Sequence, residues 1–167
     1  MNKEGNTEMQ FMNYTFDLDD LTKAHICIKS KSPVITSNKL FNDIQAQSEL
    51  TELNIDVKPS EIGDFIINLA DEVKVRRQCL AEYKKLRVSD IADKPTTLVK
   101  ANIVLILPRT LSNQNLSTLG DMLSYAVPLD IHFYIILPTD VQEKVFRSIA
   151  NKCYWVLDEG TKELQHK

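Results

Sequence analysis

Glycine is scarce in this chain, and its four glycines stand far apart. They are Gly5, Gly63, Gly120 and Gly160. The GxGxxG and GxxxxGK[ST] loops need clustered glycines, because only a backbone without Cβ approaches a phosphate group closely. The GxSxG turn of the α/β-hydrolases is also missing from the sequence. We therefore expect no dinucleotide, P-loop or hydrolase chemistry, and we predict no cofactor.

Cysteines and long apolar runs are also few. Cys27, Cys79 and Cys153 are far apart inside apolar segments, with no CxxC spacing. This pattern is typical of reduced, buried thiols in a reducing compartment. The N-terminus is polar, and the longest apolar runs, Ile103–Leu107 and Ile131–Leu137, are far shorter than the ~20 residues of a membrane span. We therefore expect a cytoplasmic protein that is not inserted in a membrane.

The small net charge of the chain gives no strong overall electrostatic field. The net charge is −3 and the isoelectric point is near 5.6, with 43% hydrophobic and 26% charged residues. Such a composition is typical of a globular chain without a global attraction to nucleic acid or anionic lipid. A length of 167 residues fits one domain. The expected organisation is a flexible arm at residues 1–10, an α/β domain at residues 11–160 and a flexible tail at residues 161–167.

The second half of the chain alternates strand and helix patterns. Ala101–Leu107 and Ile131–Leu137 are almost continuously apolar, as in strands buried on both faces. Helices are predicted over Asn115–Ala126 and Asp140–Asn151, and a last strand over Cys153–Leu157. Short connections of this kind imply right-handed crossovers between parallel strands. The sequence therefore predicts a β-α-β-α-β unit in a mixed, mainly parallel sheet of the α/β class, compatible with a Rossmann-like layout.

The first half has a weaker pattern. Strands are predicted over Phe11–Phe16, Ala24–Lys29 and Asn54–Val57, and a helix over Ser37–Glu52. One long helix is predicted at about residues 59–87, because Pro59 favours a first helical position and an apolar stripe follows it. We expect the N-terminal strands to extend or cover the sheet.

The distal part of the long helix carries basic residues within its apolar stripe. Arg76, Lys84 and Arg87 project in nearly the same direction as the core-facing side chains. Because an unpaired buried charge is costly, either this part of the helix overhangs the core or acidic groups meet it. With Arg77 and Tyr83, these residues form the predicted partner-binding surface. The leading hypothesis is a non-enzymatic adaptor or subunit of a larger assembly with an acidic protein partner, and nucleic acid is the alternative partner.

A second predicted site lies where the parallel strands end. Ligands of open α/β sheets bind beyond the carboxyl ends of the strands. The polar residues expected there are Arg109, Thr110, Ser112, Thr139 and Asp140. Arg109 beside a helix N-terminus suits a carboxylate or a phosphate. The alternative function is therefore a small ligand-binding protein or enzyme that acts on an anionic or phosphorylated substrate.

No catalytic or metal centre is predicted. His25 and His132 fall in predicted strands and His166 is close to the end, without the helical spacing of zinc ligands. Asp17 and Asp19 suit a Mg²⁺ ion by residue type, but aspartates in such positions usually form turns. The positions of the histidines and of the aspartates therefore favour structural roles.

From Leu98 onward, the order of elements resembles the later half of the PD-(D/E)xK nuclease fold. Where that family has an acid-x-Lys motif at the end of its core strand, this chain has Leu107, Pro108 and Arg109. The resemblance implies a catalytically inert member that retains binding, since the missing carboxylate is a main Mg²⁺ ligand. An unrelated Rossmann-like sheet has the same layout, so both interpretations stay open.

Overall fold

A six-stranded sheet with helices on both faces forms the centre of the computed structural model, which describes residues 8–11, 14–17, 25–93, 95 and 98–166. The strands are β1 (Glu8–Phe11), β2 (Tyr14–Asp17), β3 (His25–Ser30), β4 (Leu53–Val57), β5 (Ala101–Ile106), β6 (Ile131–Pro138), β7 (Trp155–Asp158) and β8 (Glu163–His166). The helices are α1 (Pro33–Gln47), α2 (Ile62–Glu82), α3 (Asn113–Ala126) and α4 (Glu143–Ala150).

The strand order in the sheet is β4-β5-β6-β3-β7-β8, and β1 pairs with β2 in a separate antiparallel hairpin. Strands β3 to β7 are parallel, and β8 runs antiparallel to β7. This arrangement confirms the predicted α/β class, with its mixed, mainly parallel sheet and its β-α-β-α-β second half.

The two faces of the sheet are buried by different helices. Phe133 and Ile135 of β6 belong to the larger apolar cluster, which includes α2, α3 and α4. The alternate residues Tyr134 and Ile136 pack with Leu40 and other residues of α1 in a second cluster. Because side chains alternate along a strand, a strand covered on both faces is apolar throughout. This burial accounts for the continuous apolar runs in the sequence.

Strand β3 lies in the middle of the sheet, although the sequence predicted that the N-terminal strands would extend or cover it. It pairs with β6 on one side and β7 on the other, and Cys27 stands level with Ile135 and Val156. The chain leaves β3 through α1 on one face, whereas β6 leads into α4 on the other face. Such a change of face is a topological switch point, where open α/β sheets bind ligands.

The helices have different boundaries from those predicted, and the first two differ most. Helix α1 begins at Pro33, four residues before the predicted start, because proline has the φ angle of a first helical position. The predicted helix at residues 59–87 consists of a short 3₁₀ turn at Pro59–Glu61, then α2, which ends at Glu82. Lys84 has a φ of 54°, which is outside the right-handed helical region and ends the helix.

Strands lie near both ends of the chain. The predicted strand Phe11–Phe16 is divided between β1 and β2, and β1 also takes up the end of the predicted arm, whose first seven residues lie outside the described ones. The predicted flexible tail includes β8, which pairs with β7. Leu164 explains this pairing, because it packs on the apolar cluster beneath α1 while Glu163 and Gln165 face solvent.

The cysteines are free thiols, with Cys27 and Cys153 buried and Cys79 half-buried. A hydrogen bond with Cys153, together with burial, raises the pKa of the Cys27 thiol well above its ordinary value. None of the helices in the described ranges has both the length and the apolar character that crossing a bilayer requires.

Candidate functional site

The carboxyl edge of the sheet brings together two of the predicted ligand-edge residues. Arg109 follows β5 and Asp140 follows β6, and Arg109 Nη1 lies 3.3 Å from Asp140 Oδ2. The backbone joins the two loops as well, because Gln142 N donates to Arg109 O at 2.8 Å. Both side chains are largely exposed, so the ion pair adds little to stability. An anion at Arg109 would have to displace Asp140.

The other three ligand-edge residues do not converge on a common point. Ser112 caps α3, since its Oγ accepts a hydrogen bond from Asn115 N at 3.1 Å. Thr110 is exposed in the loop before α3, and Thr139 is exposed in the turn after β6. The helix predicted from Asp140 begins only at Glu143, because the chain forms a turn first, so Thr139 does not cap α4.

The topological switch point holds a carboxylate from the chain itself. Ser30 Oγ donates to Glu159 Oε1 at 2.6 Å, and Thr36 Oγ1 lies 2.9 and 2.8 Å from the two Glu159 oxygens. Ser30 and Thr36 are buried, and Ser32 N donates to Ser30 Oγ at 3.0 Å. The Glu159 carboxylate therefore lies beside the first turn of α1, where the helix dipole favours a negative charge.

The sequence did not predict the Glu159 site. Ser30 and Glu159 are separated by 129 positions, and only the central location of β3 brings them together. The local signal was a group of small hydroxyl residues at the β3–α1 junction. Two residues, Lys31 and Ser32, separate β3 from α1, and neither is a glycine.

Arg76 lies inside the protein instead of on the predicted partner-binding surface. Its side chain is only 3% exposed. Arg76 Nε donates to Glu72 Oε1 at 2.8 Å, and Nη1 donates to Val99 O at 2.9 Å and Leu129 O at 3.1 Å. An acidic group and two backbone carbonyls thus resolve the conflict noted in the sequence. Arg76 joins α2 to the segments that precede β5 and β6.

The other predicted partner-binding residues lie at the surface. Arg77 is exposed, and its guanidinium carbon lies 4.4 Å from the centre of the Tyr125 ring. Beyond α2 the chain exposes two lysines, one arginine and two large apolar side chains, of which Leu86 is 86% exposed. We call this surface the basic end of α2, and it comprises Arg77, Tyr83, Lys84, Lys85, Leu86 and Arg87.

Lys84 holds a backbone conformation that favours glycine. Its φ is 54°, and the turn around it is closed by hydrogen bonds from Lys84 N to Ala81 O and from Lys85 N to Leu80 O. This pattern is a common helix ending in which glycine usually takes the left-handed position. A side chain in that position costs about 1 kcal/mol. The protein should therefore be more stable with glycine than with lysine at position 84.

A row of polar side chains crosses three strands on the α1 face. Asn54, Asn102 and His132 stand at the same level, and Asn102 Nδ2 donates to Asn54 Oδ1 at 2.9 Å. His132 Nε2 lies 3.1 Å from Asp130 Oδ1. Burial and the nearby Glu52 carboxylate raise the pKa of the Tyr134 hydroxyl, which keeps it protonated. The described residues contain no group of three or more ligands for a metal ion.

His25 has a structural role in the core. Its Nε2 lies 2.8 Å from Leu123 O, and its Nδ1 accepts a hydrogen bond from Phe133 N at 3.2 Å. Because Nδ1 accepts, Nε2 carries the proton, and the neutral ring joins α3 to β6.

Comparison with known proteins gives structural likenesses only. No protein-family model matches the chain, and no curated protein matches it. EssC (ATPases 2 and 3) from Geobacillus thermodenitrificans is similar, with a TM-score of 0.63, 12% identity and coverage of 87% of this chain and 33% of that one. The cytoplasmic domain of the Thermomonospora curvata Type VII secretion ATPase EccC gives a TM-score of 0.61 and 12% identity, over 82% and 20% of the two chains.

The pCW3 conjugation coupling protein TcpA, solved as a monomer with ATPγS, gives a TM-score of 0.56 and 12% identity, over 87% of this chain and 50% of TcpA. This chain therefore spans half or less of the length of each of these structures. At 12% identity the likeness is one of fold alone. None of the three is described as a nuclease, and the resemblance to the nuclease fold stays a prediction.

Proposed function

We propose that this chain is a non-enzymatic domain of a larger protein assembly, and that it docks on an acidic protein partner through the basic end of α2. The observation that carries the proposal is the exposed loop Tyr83–Arg87, which combines exposed positive charge, a protruding leucine and a strained lysine. The similar folds in secretion and conjugation proteins support membership of an assembly, since each forms only part of a longer chain.

The charge of the basic end of α2 favours an acidic partner. In the described part of the chain, Lys84, Lys85 and Arg87 form no ion pair, and Arg77 contacts an aromatic ring instead of a carboxylate. Complementary charge orients the partner and speeds association, whereas a buried apolar anchor supplies affinity. Leu86 is the natural anchor, because two lysines and an arginine surround it. The partner should therefore offer carboxylates around an apolar depression.

The switch point supports a role without nucleotide turnover. A P-loop needs a glycine-rich connection between strand and helix, and the connection from β3 to α1 has none. The Glu159 carboxylate and its two hydroxyl partners already occupy the region beside the first turn of α1. A phosphate group there would meet a negative charge. At the neighbouring edge, Arg109 is paired with Asp140.

Lys84 offers a test that separates docking from folding. We expect Lys84→Gly to raise the free energy of unfolding by about 0.5 kcal/mol, because glycine adopts positive φ freely. The same variant should capture less partner, since it loses a charge. The double variant Lys84→Glu/Arg87→Glu should lose at least about tenfold in capture, a difference of about 1.4 kcal/mol. Stability is measured by urea unfolding, and capture by affinity purification from the native host with quantitative mass spectrometry.

The matched control is Lys39→Glu, which reverses an exposed charge on α1, on the other face of the sheet. It should leave both stability and capture unchanged. Full capture by the double variant would contradict the proposal. Capture that disappears on nuclease treatment would also contradict it, because the partner would then be nucleic acid.

A further inference from the structure

Charge is divided between the two halves of α2 and its flanking turns. Residues 59–73 contain the acids Glu61, Asp64, Asp71 and Glu72 and no lysine or arginine. Residues 74–87 contain six basic residues and one acid, Glu82. The helix dipole favours this order only within the first and last turns. It does not account for the abrupt change from Asp71 to Lys74 in the middle of the helix.

The charges at the change-over lie on an exposed face. Asp64, Asp71 and Lys74 are exposed, and they form no ion pair within the described residues. Ile67 and Val75 are 65% and 55% exposed. At ~100° per residue these five positions fall within an arc of about 100° on the side of α2 opposite the core. The face therefore carries two apolar side chains and three charges, and both acids precede the single base, Lys74, along the helix.

We propose that a second copy of this chain supplies the acidic partner surface, and that two copies pair through antiparallel α2 helices. The inference rests on the docking role proposed for the basic end of α2. Antiparallel pairing sets the acidic half of each helix against the basic half of the other, whereas parallel pairing would set like charges together. A two-fold axis makes each favourable contact twice.

The expected contact between two α2 helices is small. Helix α2 has 21 residues and is ~32 Å long. Stable interfaces bury about 1,200–2,000 Å² in total, and one helix face from each copy lies at the low end of that range. We therefore expect a dimer with a dissociation constant in the micromolar range and a dependence on salt, because the aligned charges are exposed.

Two oppositely charged variants test the pairing without depending on its register. Residues 59–87 hold six bases and five acids, a net charge of +1; Asp64→Lys/Asp71→Lys changes it to +5, and Lys74→Glu/Lys84→Glu changes it to −3. Each variant alone should dimerise at least about tenfold more weakly than the wild type, because like charges then face each other. Mixed in equal amounts, the two should form a heterodimer. Sedimentation velocity at about 5–200 μM measures the association, and circular dichroism checks that each variant folds.

Dimerisation of the wild type, loss in each variant and recovery in the mixture support the inference. A wild type that stays monomeric over this range overturns it, and so does a mixture that stays monomeric. The proposed function fails separately. A monomeric wild type whose capture of another protein depends on Lys84 would leave that function standing, whereas capture unaffected by Lys84→Glu/Arg87→Glu would reject it.

Discussion

Replacing Arg76 with alanine should lower the free energy of unfolding by about 3 kcal/mol, a large loss for a helix residue with a charged side chain. The guanidinium group is buried and donates to two backbone carbonyls and to Glu72. Its removal leaves the carbonyls of Val99 and Leu129 without this donor and leaves a gap where the side chain packs. Chemical unfolding in urea, monitored by circular dichroism, measures the loss.

The neighbouring arginine is the matched control for Arg76. Arg77→Ala removes the same side chain one position along the helix, but from an exposed site over the Tyr125 ring. Its effect should stay within about 1 kcal/mol, because exposed cation–π contacts contribute about 0.5–1 kcal/mol. Equal losses for the two variants would contradict the structural role of Arg76.

Replacing Glu159 with alanine should lower the free energy of unfolding by about 2–3 kcal/mol. The variant leaves the buried Ser30 and Thr36 hydroxyls without the carboxylate to which both are hydrogen-bonded. Glu159→Gln should lose less, because the amide keeps one oxygen as an acceptor. Thermal and urea unfolding of the same variants measure both effects.

Glu163→Ala provides the comparison for Glu159, because Glu163 is exposed on β8, four residues later in the chain. Surface substitutions of this kind usually change stability by no more than about 0.5 kcal/mol. If Glu159→Ala and Glu163→Ala unfold at the same urea concentration, the carboxylate at the switch point does not hold the first turn of α1.

The parts of the sheet that could be predicted are the strands with a clear local sequence pattern. The continuous apolar runs of β5 and β6 indicated burial on both faces, and both runs end in the same sequence, Ile-Leu-Pro. The structure aligns these endings, with Ile106 level with Ile136. The meeting of Arg109 and Asp140 follows from that alignment. Such inferences hold because neighbouring parallel strands joined by one helix have few possible arrangements.

The remaining features depend on contacts between distant segments. No local pattern places β3 between β6 and β7, since strand order results from how all the crossovers pack together. The sequence around Glu159 therefore did not indicate that its carboxylate would accept a hydrogen bond from Ser30 at the switch point. Arg76 indicated a conflict but not its solution, because Val99 and Leu129 supply backbone oxygens that any residue type would offer. A hydrogen bond to a backbone carbonyl cannot be predicted from the type of residue that carries the carbonyl.

Site-specific photo-crosslinking at Leu86 tests the central claim, docking through the basic end of α2, most directly. A photoreactive residue at position 86 should give a covalent adduct with a protein in the native host. The same residue at Leu50, which is fully exposed in the turn between α1 and β4, should give none. Lys84→Glu/Arg87→Glu should abolish the adduct at position 86. An adduct at position 50 but not at position 86 would contradict the account.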